Sequence, residues 1–266
     1  MSKGSGIDDY TIGKRGYRTV NDPKELLVLG FSEAQAATVP GYLIPLWGVD
    51  GEIVGHQFKP DNPRTGKKGK PLKYETPKGW KMRLDVGPFG KDWVGDPNVP
   101  AICTEGVKKG DSGATRGLKA ITLIGVWNWR GTNEKGGSVE LADWEAIALK
   151  GRVVTLLFDA DVVRQPSVAS ALRRLAGFLR RRGAIVKVVV PPDVAGIAKT
   201  GLDDFLVASN GDLVKLMDNR ADWILDDGSI VVNGRSLADV VSDAMKALVD
   251  GNIPPNIFVR ANELVR

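Results

Sequence analysis

Two short apolar-rich runs, Tyr42-Leu43-Ile44-Pro45-Leu46-Trp47 and Ile53-Val54-Gly55-His56-Gln57-Phe58, flank Asp50-Gly51 and predict a β-hairpin. Upstream, Asp22-Pro23 opens a short helical stretch, and Ser32–Ala37 adds a turn or two before Pro40 breaks it. Residues 1–20 are Gly-rich and charged without periodicity, and are expected to form a flexible lead. After Pro97–Pro100 the pattern becomes a regular alternation of strand and helix. Strands are expected at 101–104, 120–126, 152–158 and 184–190, and helices at Val107–Arg116, Val139–Lys150, Ser167–Arg182 and Leu202–Ser209. Such alternation implies a parallel sheet with right-handed crossovers and ligands at the carboxyl ends of its strands. Farther on, Ser236 opens a helix over Leu237–Val249 that Gly251 ends. The chain then stops in an incipient strand at 258–266, which suggests a fragment of a longer protein.

The expected fold class is therefore α/β: a parallel sheet flanked by helices (98–212), preceded by a small basic α+β subdomain (21–97) and followed by a helical tail or linker (213–266). Length allows this, since 266 residues suffice for one large domain or two small ones. The longest apolar stretches fall far short of the roughly 20 residues of a membrane span. The N-terminus has no apolar secretory core, so a cytoplasmic location is expected.

Charge changes the picture. Between Lys59 and Arg83 nine Lys/Arg stand against Asp61 and Glu75, a local +7 against +5 for the whole chain. The basicity is thus concentrated in Lys59, Arg64, Lys67, Lys68, Lys70, Lys73, Lys78, Lys81 and Arg83, with Tyr74 and Trp80 interleaved. That is the footprint of a surface meeting phosphate, a solvated face being the alternative. Arg173, Arg174, Arg180, Arg181 and Arg182 form a second group on a predicted helix, read as solvated. Trp127 and Trp129 follow the second strand of the alternation and are read as packing a loop onto the sheet.

Candidate chemistry is narrow. One cysteine, Cys103, and one histidine, His56, exclude an internal disulfide and a Cys/His zinc site. No nucleophile motif surrounds His56, which leaves carboxylates and metal. Glu105 follows the first strand of the alternation, Asp159 and Asp161 end the third, and Asp203-Asp204 stand after the fourth. Residues i and i+2 at a strand end project to one side, so Asp159 and Asp161 can share a cation. Mg²⁺ takes a few carboxylates with water and substrate phosphate, which suits phosphoryl chemistry without histidine.

Glu-Gly after the first strand, Asp-x-Asp after a later one and a further acidic loop resemble the Toprim domain shared by DnaG-type primases, topoisomerases and related nucleases. Gly41–Leu46, Asp50–Gly55 and Lys73-Tyr74 resemble the segment that precedes Toprim in the DnaG-type core, beside the template groove. Glu105-Gly106-Val107-Lys108-Lys109 and Lys199-Thr200-Gly201-Leu202-Asp203-Asp204 are similar to the Toprim-like domain of phage and mobile-element primase-helicases. The resemblance implies a DNA primase-type core performing metal-dependent nucleotidyl transfer on single-stranded DNA. Glu105 would be the catalytic carboxylate, and Asp159, Asp161, Asp203 and Asp204 ligands of Mg²⁺ or Mn²⁺. Lys108, Lys109 and Lys199 would meet nucleoside triphosphates, the alternatives being that Lys199 merely neutralises the carboxylates and that Lys109 weakens one metal site; the Lys59–Arg83 surface would meet DNA, and a helicase domain or protein would be the partner. A departure is that Lys109 stands where the primase pattern has an acid, and the last acidic pair is adjacent. A non-catalytic nucleic-acid-binding module and a Toprim nuclease are the alternative readings.

Overall fold

The computed structural model describes residues 3–66 and 69–225, together with two short strands near the C-terminus. The helix expected over Leu237–Val249, the linker reading of the tail beyond 225, and Lys67 and Lys68 lie outside the described residues.

Within the expected flexible lead, residues 3–20 are instead folded. The Asp8 carboxylate accepts from the Thr11 amide at 2.7 Å and so caps α1 (Asp9–Arg15), and β1 (Arg18–Val20) follows. Asp22 caps α2 (Pro23–Val28), whose first turn holds Pro23, and α3 (Glu33–Ala36) comes next. The predicted hairpin forms as β2 (Gly41–Trp47) and β3 (Ile53–Pro60), antiparallel with Leu43 opposite Phe58. β1 adds to the free side of β2, giving the order β1-β2-β3. Val20, Leu26, Phe31, Ala36, Leu43 and Phe58 make its core.

The second sheet carries β4 (Ala101–Glu105), followed by α4 (Val107–Ala114) and β5 (Ala120–Leu123). The helix expected at Val139–Lys150 is not there. In its place β6 (Arg130–Thr132) and β7 (Ser138–Glu140) pair, and a 3-10 helix covers Ala142–Ala146. The apolar positions Leu141, Trp144 and Ile147 recur every three residues, a spacing that an α-helix and a 3-10 turn satisfy alike. Tertiary contacts decide. Trp144 Nε1 donates to the Trp129 carbonyl at 2.9 Å, and Asp143 accepts from the Leu84 amide at 2.8 Å.

Beyond lie β8 (Val153–Leu156), α5 (Pro166–Arg181), β9 (Ile185–Val188), α6 (Leu202–Ala208) and α7 (Leu213–Asp218). The sheet runs β5-β4-β8-β9 with every pairing parallel. Its strands are apolar on both faces, as a sheet covered twice must be. Cys103 faces Leu172, Leu175 and Leu179 of α5, while its neighbour Ile102 faces Leu202, Phe205 and Leu206 of α6. At the C-terminal end β10 (Phe258–Arg260) pairs antiparallel with β11 (Glu263–Val265). Among the described residues no helix is long and apolar enough to cross a membrane.

One buried ion cluster ties the two sheets together. Arg15 Nε donates to Asp111 Oδ2 at 2.9 Å, and Nη2 donates to Asp111 Oδ1 at 2.5 Å and to Asp85 Oδ2 at 3.1 Å. Nη1 also donates to Asp85 Oδ1, and to the Pro45 carbonyl at 3.3 Å. Tyr17 donates to Asp111 at 2.6 Å, and the Trp47 amide to Asp85 at 2.8 Å. Burial raises the Asp111 carboxyl above the ordinary range, and Arg15 opposes the rise. Arg15→Met would leave two buried carboxylates uncompensated, so a loss of about 3–5 kcal/mol is expected in urea denaturation. Deleting residues 1–16 should cost at least as much; an unchanged midpoint in either variant would contradict this role.

Candidate active site and nucleic-acid interface

The site forms where β4, β8 and the segment after β9 end on the same edge of the sheet. Glu105 closes β4, and Gly106 then turns the chain at φ +92° into α4, which puts Lys108 and Lys109 in the first helical turn. Past β8 the Leu157 amide still bonds the Cys103 carbonyl at 2.9 Å, which carries the chain straight to Asp159. Asp159 opens a 3-10 helix, Ala160–Val163, that contains Asp161. The Ala160 amide donates to the Thr200 carbonyl at 2.9 Å, drawing the Lys199–Gly201 loop alongside. At the start of α6, Asp204 accepts from the Gly201 amide at 2.9 Å.

Glu105, Asp159, Asp161, Lys109 and Lys199 come together. Lys109 Nζ contacts Asp159 Oδ1 at 2.5 Å. Lys199 Nζ bridges Asp159 Oδ2 at 3.1 Å and Asp161 Oδ2 at 3.2 Å. Two ammoniums thus take three of the four aspartate oxygens. The fourth, Asp161 Oδ1, is buried with no hydrogen-bond partner among the described residues. Burial raises the Glu105 carboxyl, Lys109 opposes this, and Asp159 adds to it. The Lys199 ammonium is lowered by burial, but Asp159 and Asp161 outweigh that and hold its pKa above the ordinary value. Lys108 is lowered by burial, with Asp203 opposing.

Among the described residues no group of three or more His, Cys, Asp or Glu side chains is gathered to hold a metal. The orphaned Asp161 oxygen beside Asp159 nonetheless fits one hard divalent cation, whose oxygen ligands are of this kind. Lys199, whose side chain is 46% exposed, is free to leave for it.

Part of the basic segment borders this site. Lys59 lies over the Tyr74 ring, 6.0 Å from its centroid, and burial followed by the charge of Asp203 raises the Tyr74 hydroxyl. Lys59 also acts on Lys108. Lys70, Lys73, Lys78 and Lys81 are exposed. Arg64 and Arg83 are engaged internally: Arg64 Nε donates to Glu75 at 2.9 and 3.1 Å, and Arg83 Nε to Asp143 at 2.8 and 3.0 Å. His56 sits half-buried on β3. Trp129 packs on Phe178 with ring centroids 5.5 Å apart, while Trp127 lies between Arg130 and Arg174 at 4.7 and 5.7 Å.

Sequence reasoning missed Gly201. A Cβ there would stand 2.7 Å from Lys109 Cε and 3.2 Å from Asp159 Oδ1, so the absent side chain leaves room for the end of the lysine where it now lies. The signal was a glycine placed just ahead of the acidic pair.

Residues 91–213 match a family model described as a domain of unknown function (DUF3854). An uncharacterized protein of Picosynechococcus sp. (strain PCC 7002), SYNPCC7002_B0001, is 28% identical over 210 residues, covering 66% of this chain. The chain spans only 19% of that relative's length. Among solved structures, the RNA polymerase domain of Mycobacterium tuberculosis primase DnaG superposes with a TM-score of 0.54 at 15% identity, covering 93% of this chain and 89% of that one. The same domain in complex with a double-stranded DNA oligomer bearing a 6-nucleotide overhang gives 0.51 at 15% identity, with 93% and 87% covered. The Aquifex aeolicus primase, comprising zinc-binding and RNA polymerase domains, gives 0.53 at 14% identity, covering 94% of this chain and 59% of that one. The likeness is one of fold: this mixed α/β architecture is that of DnaG-type primase catalytic cores.

Gly106 has no neighbour within 4 Å of a would-be Cβ, so Gly106→Ala carries a purely backbone cost. A loss of about 1–3 kcal/mol is expected for a side chain forced into this conformation, and thermal denaturation measures it.

Proposed function

We propose that this chain is a primase-type nucleotidyl-transfer core of the Toprim class, extending RNA or DNA primers on a single-stranded template. The observation that carries the reading is the meeting of Glu105, Asp159 and Asp161 at one sheet edge, bordered by Lys59, Tyr74 and Lys108. The fold shared with primase cores supports it.

Asp159 and Asp161 would hold Mg²⁺ or Mn²⁺, with Asp203 and Asp204 on the α6 side of the site. A cation bound there supplies charge neutralisation at the attacking and leaving oxygens. The chain's own residues do the rest. Glu105, whose carboxyl burial has raised, accepts the proton of the primer 3′-hydroxyl as its oxygen attacks the α-phosphorus and pyrophosphate leaves. Lys108 and Lys199 meet the triphosphate, Lys199 exchanging carboxylate for phosphate oxygen. Lys59 and Tyr74 guide the template toward the site, and Lys70, Lys73, Lys78 and Lys81 hold its phosphates. A role in phage or mobile-element replication beside a helicase belongs to the same proposal. A non-catalytic DNA-binding module is the second reading, favoured by the two lysines that occupy the aspartates.

The test is synthesis from labelled nucleotides on single-stranded DNA with Mg²⁺ or Mn²⁺. Products should appear with the wild type and be lost in Asp159→Asn and Asp161→Asn, whose folding is checked by circular dichroism. DNA binding without synthesis, indifferent to metal and to Asp159→Asn, would support the second reading instead; cleavage without nucleotides would point to a nuclease.

Neutralising Lys70, Lys73, Lys78 and Lys81 should weaken single-stranded DNA binding. Each lost phosphate contact should flatten the salt dependence by about 0.7 in log–log slope. An unchanged slope would remove this surface from the template path.

A further inference from the structure

We propose that Lys109 is a resident cation of the acidic centre, which therefore accepts one divalent ion and not two. The inference rests on the reading of Asp159 and Asp161 as cation ligands. Its observations are the Lys109–Asp159 contact and the glycine that makes room for it.

The two lysines at the centre are not equivalent. Lys109 stands on the first turn of α4, and that helix is locked from behind by the Asp111–Arg15 pair. Its side chain is 21% exposed, and its ammonium sits 2.5 Å from Asp159 Oδ1. Its stem passes over Gly201, where a Cβ would come within 2.7 Å of Cε. A metal approaching Asp159 Oδ1 would have to evict an ammonium that the fold has built space for. Lys199 stands on an irregular loop, is 46% exposed, and bridges Asp159 Oδ2 and Asp161 Oδ2 at 3.1 and 3.2 Å. Those two oxygens, beside the buried and partnerless Asp161 Oδ1, are where an ion would take the ammonium's place.

Charge reaches the same number. Glu105, Asp159 and Asp161 carry three negative charges when ionised, while Asp203 and Asp204 both act on Lys108, which Lys59 adjoins, so that two acids stand against two lysines there. With Lys109 in place, one divalent ion in exchange for Lys199 neutralises the centre. A second would leave it with a net charge of +2 in a largely buried setting, which is unfavourable.

Mn²⁺ binding to the full chain, followed by isothermal titration and by loss of the free-ion electron paramagnetic resonance signal, tests this without nucleotide or DNA. Wild type should bind one ion. Lys199→Ala should keep that stoichiometry and bind about tenfold tighter, because the competing ammonium is gone. Lys109→Met retains the stem over Gly201 but frees Asp159 Oδ1, and should bind two. Gly201→Ala keeps the lysine in the chain but puts a Cβ 2.7 Å from its Cε, and should weaken its hold on Asp159 and admit a second ion, more weakly. Cooperative thermal unfolding of each variant shows that it is folded. Two ions or none in wild type, or a single ion still in both Lys109→Met and Gly201→Ala, overturns the proposal. Failure of primer synthesis alone would leave the stoichiometry intact, so the two readings fail separately.

Discussion

A buried guanidinium ties the two halves of this protein together, beside an apolar contact of Ile44 and Leu46 with Val107. Arg15 is buried between Asp85 and Asp111, on segments 70 and 96 residues away, and also reaches the β2 carbonyl of Pro45. A buried charge is costly unless it is paired, and here each of the three guanidinium nitrogens has a partner. Asp85 in turn pairs its backbone with Thr122 on β5, through amides at 3.2 and 2.7 Å. The antiparallel sheet, the parallel sheet and α4 are thereby fixed to one another. Because α4 begins at the site, the same cluster sets where Lys108 and Lys109 point.

The site's electrostatics follow from that placement. Parallel strands deliver Glu105 and Asp159 to one edge, and like charges so delivered repel unless cations intervene. Lys109 and Lys199 supply them, one clamped in the fold and one on an accessible loop. The difference in exposure, 21% against 46%, is what the proposal of one resident and one exchangeable counter-charge rests on. In the proposed function a divalent ion would take the place of Lys199 beside the carboxylates, and the released ammonium would turn to a nucleotide phosphate. The basic segment divides in a similar way. Arg64 and Arg83 serve Glu75 and Asp143 within the fold, whereas Lys70, Lys73, Lys78 and Lys81 remain turned to solvent.

The parallel sheet was legible in the sequence because its strands are continuous apolar runs and α5 has a clear amphipathic period. The hairpin was legible from Asp50-Gly51. The N-terminal lead was not, since nothing near Arg15 in the sequence hints at partners so distant. Residues 139–150 misled because a spacing of three apolar residues suits two helical geometries, and only the Trp129 and Leu84 contacts choose between them. At the site, the acids were legible from their positions at strand ends. The grip of Lys109 on Asp159 was not, because it brings together segments far apart in the chain, with room for the lysine left at Gly201, 92 residues later.

The proposed meeting of a cation and a nucleotide at the Asp159–Asp161 edge is open to direct observation. Anomalous diffraction from crystals grown with Mn²⁺ and a non-hydrolysable nucleoside triphosphate tests it most directly. The account requires an anomalous peak within coordination distance of Asp159 and Asp161, with Lys199 turned away and the triphosphate between that peak and Lys108. No peak there, or a triphosphate held elsewhere on the molecule, would contradict it.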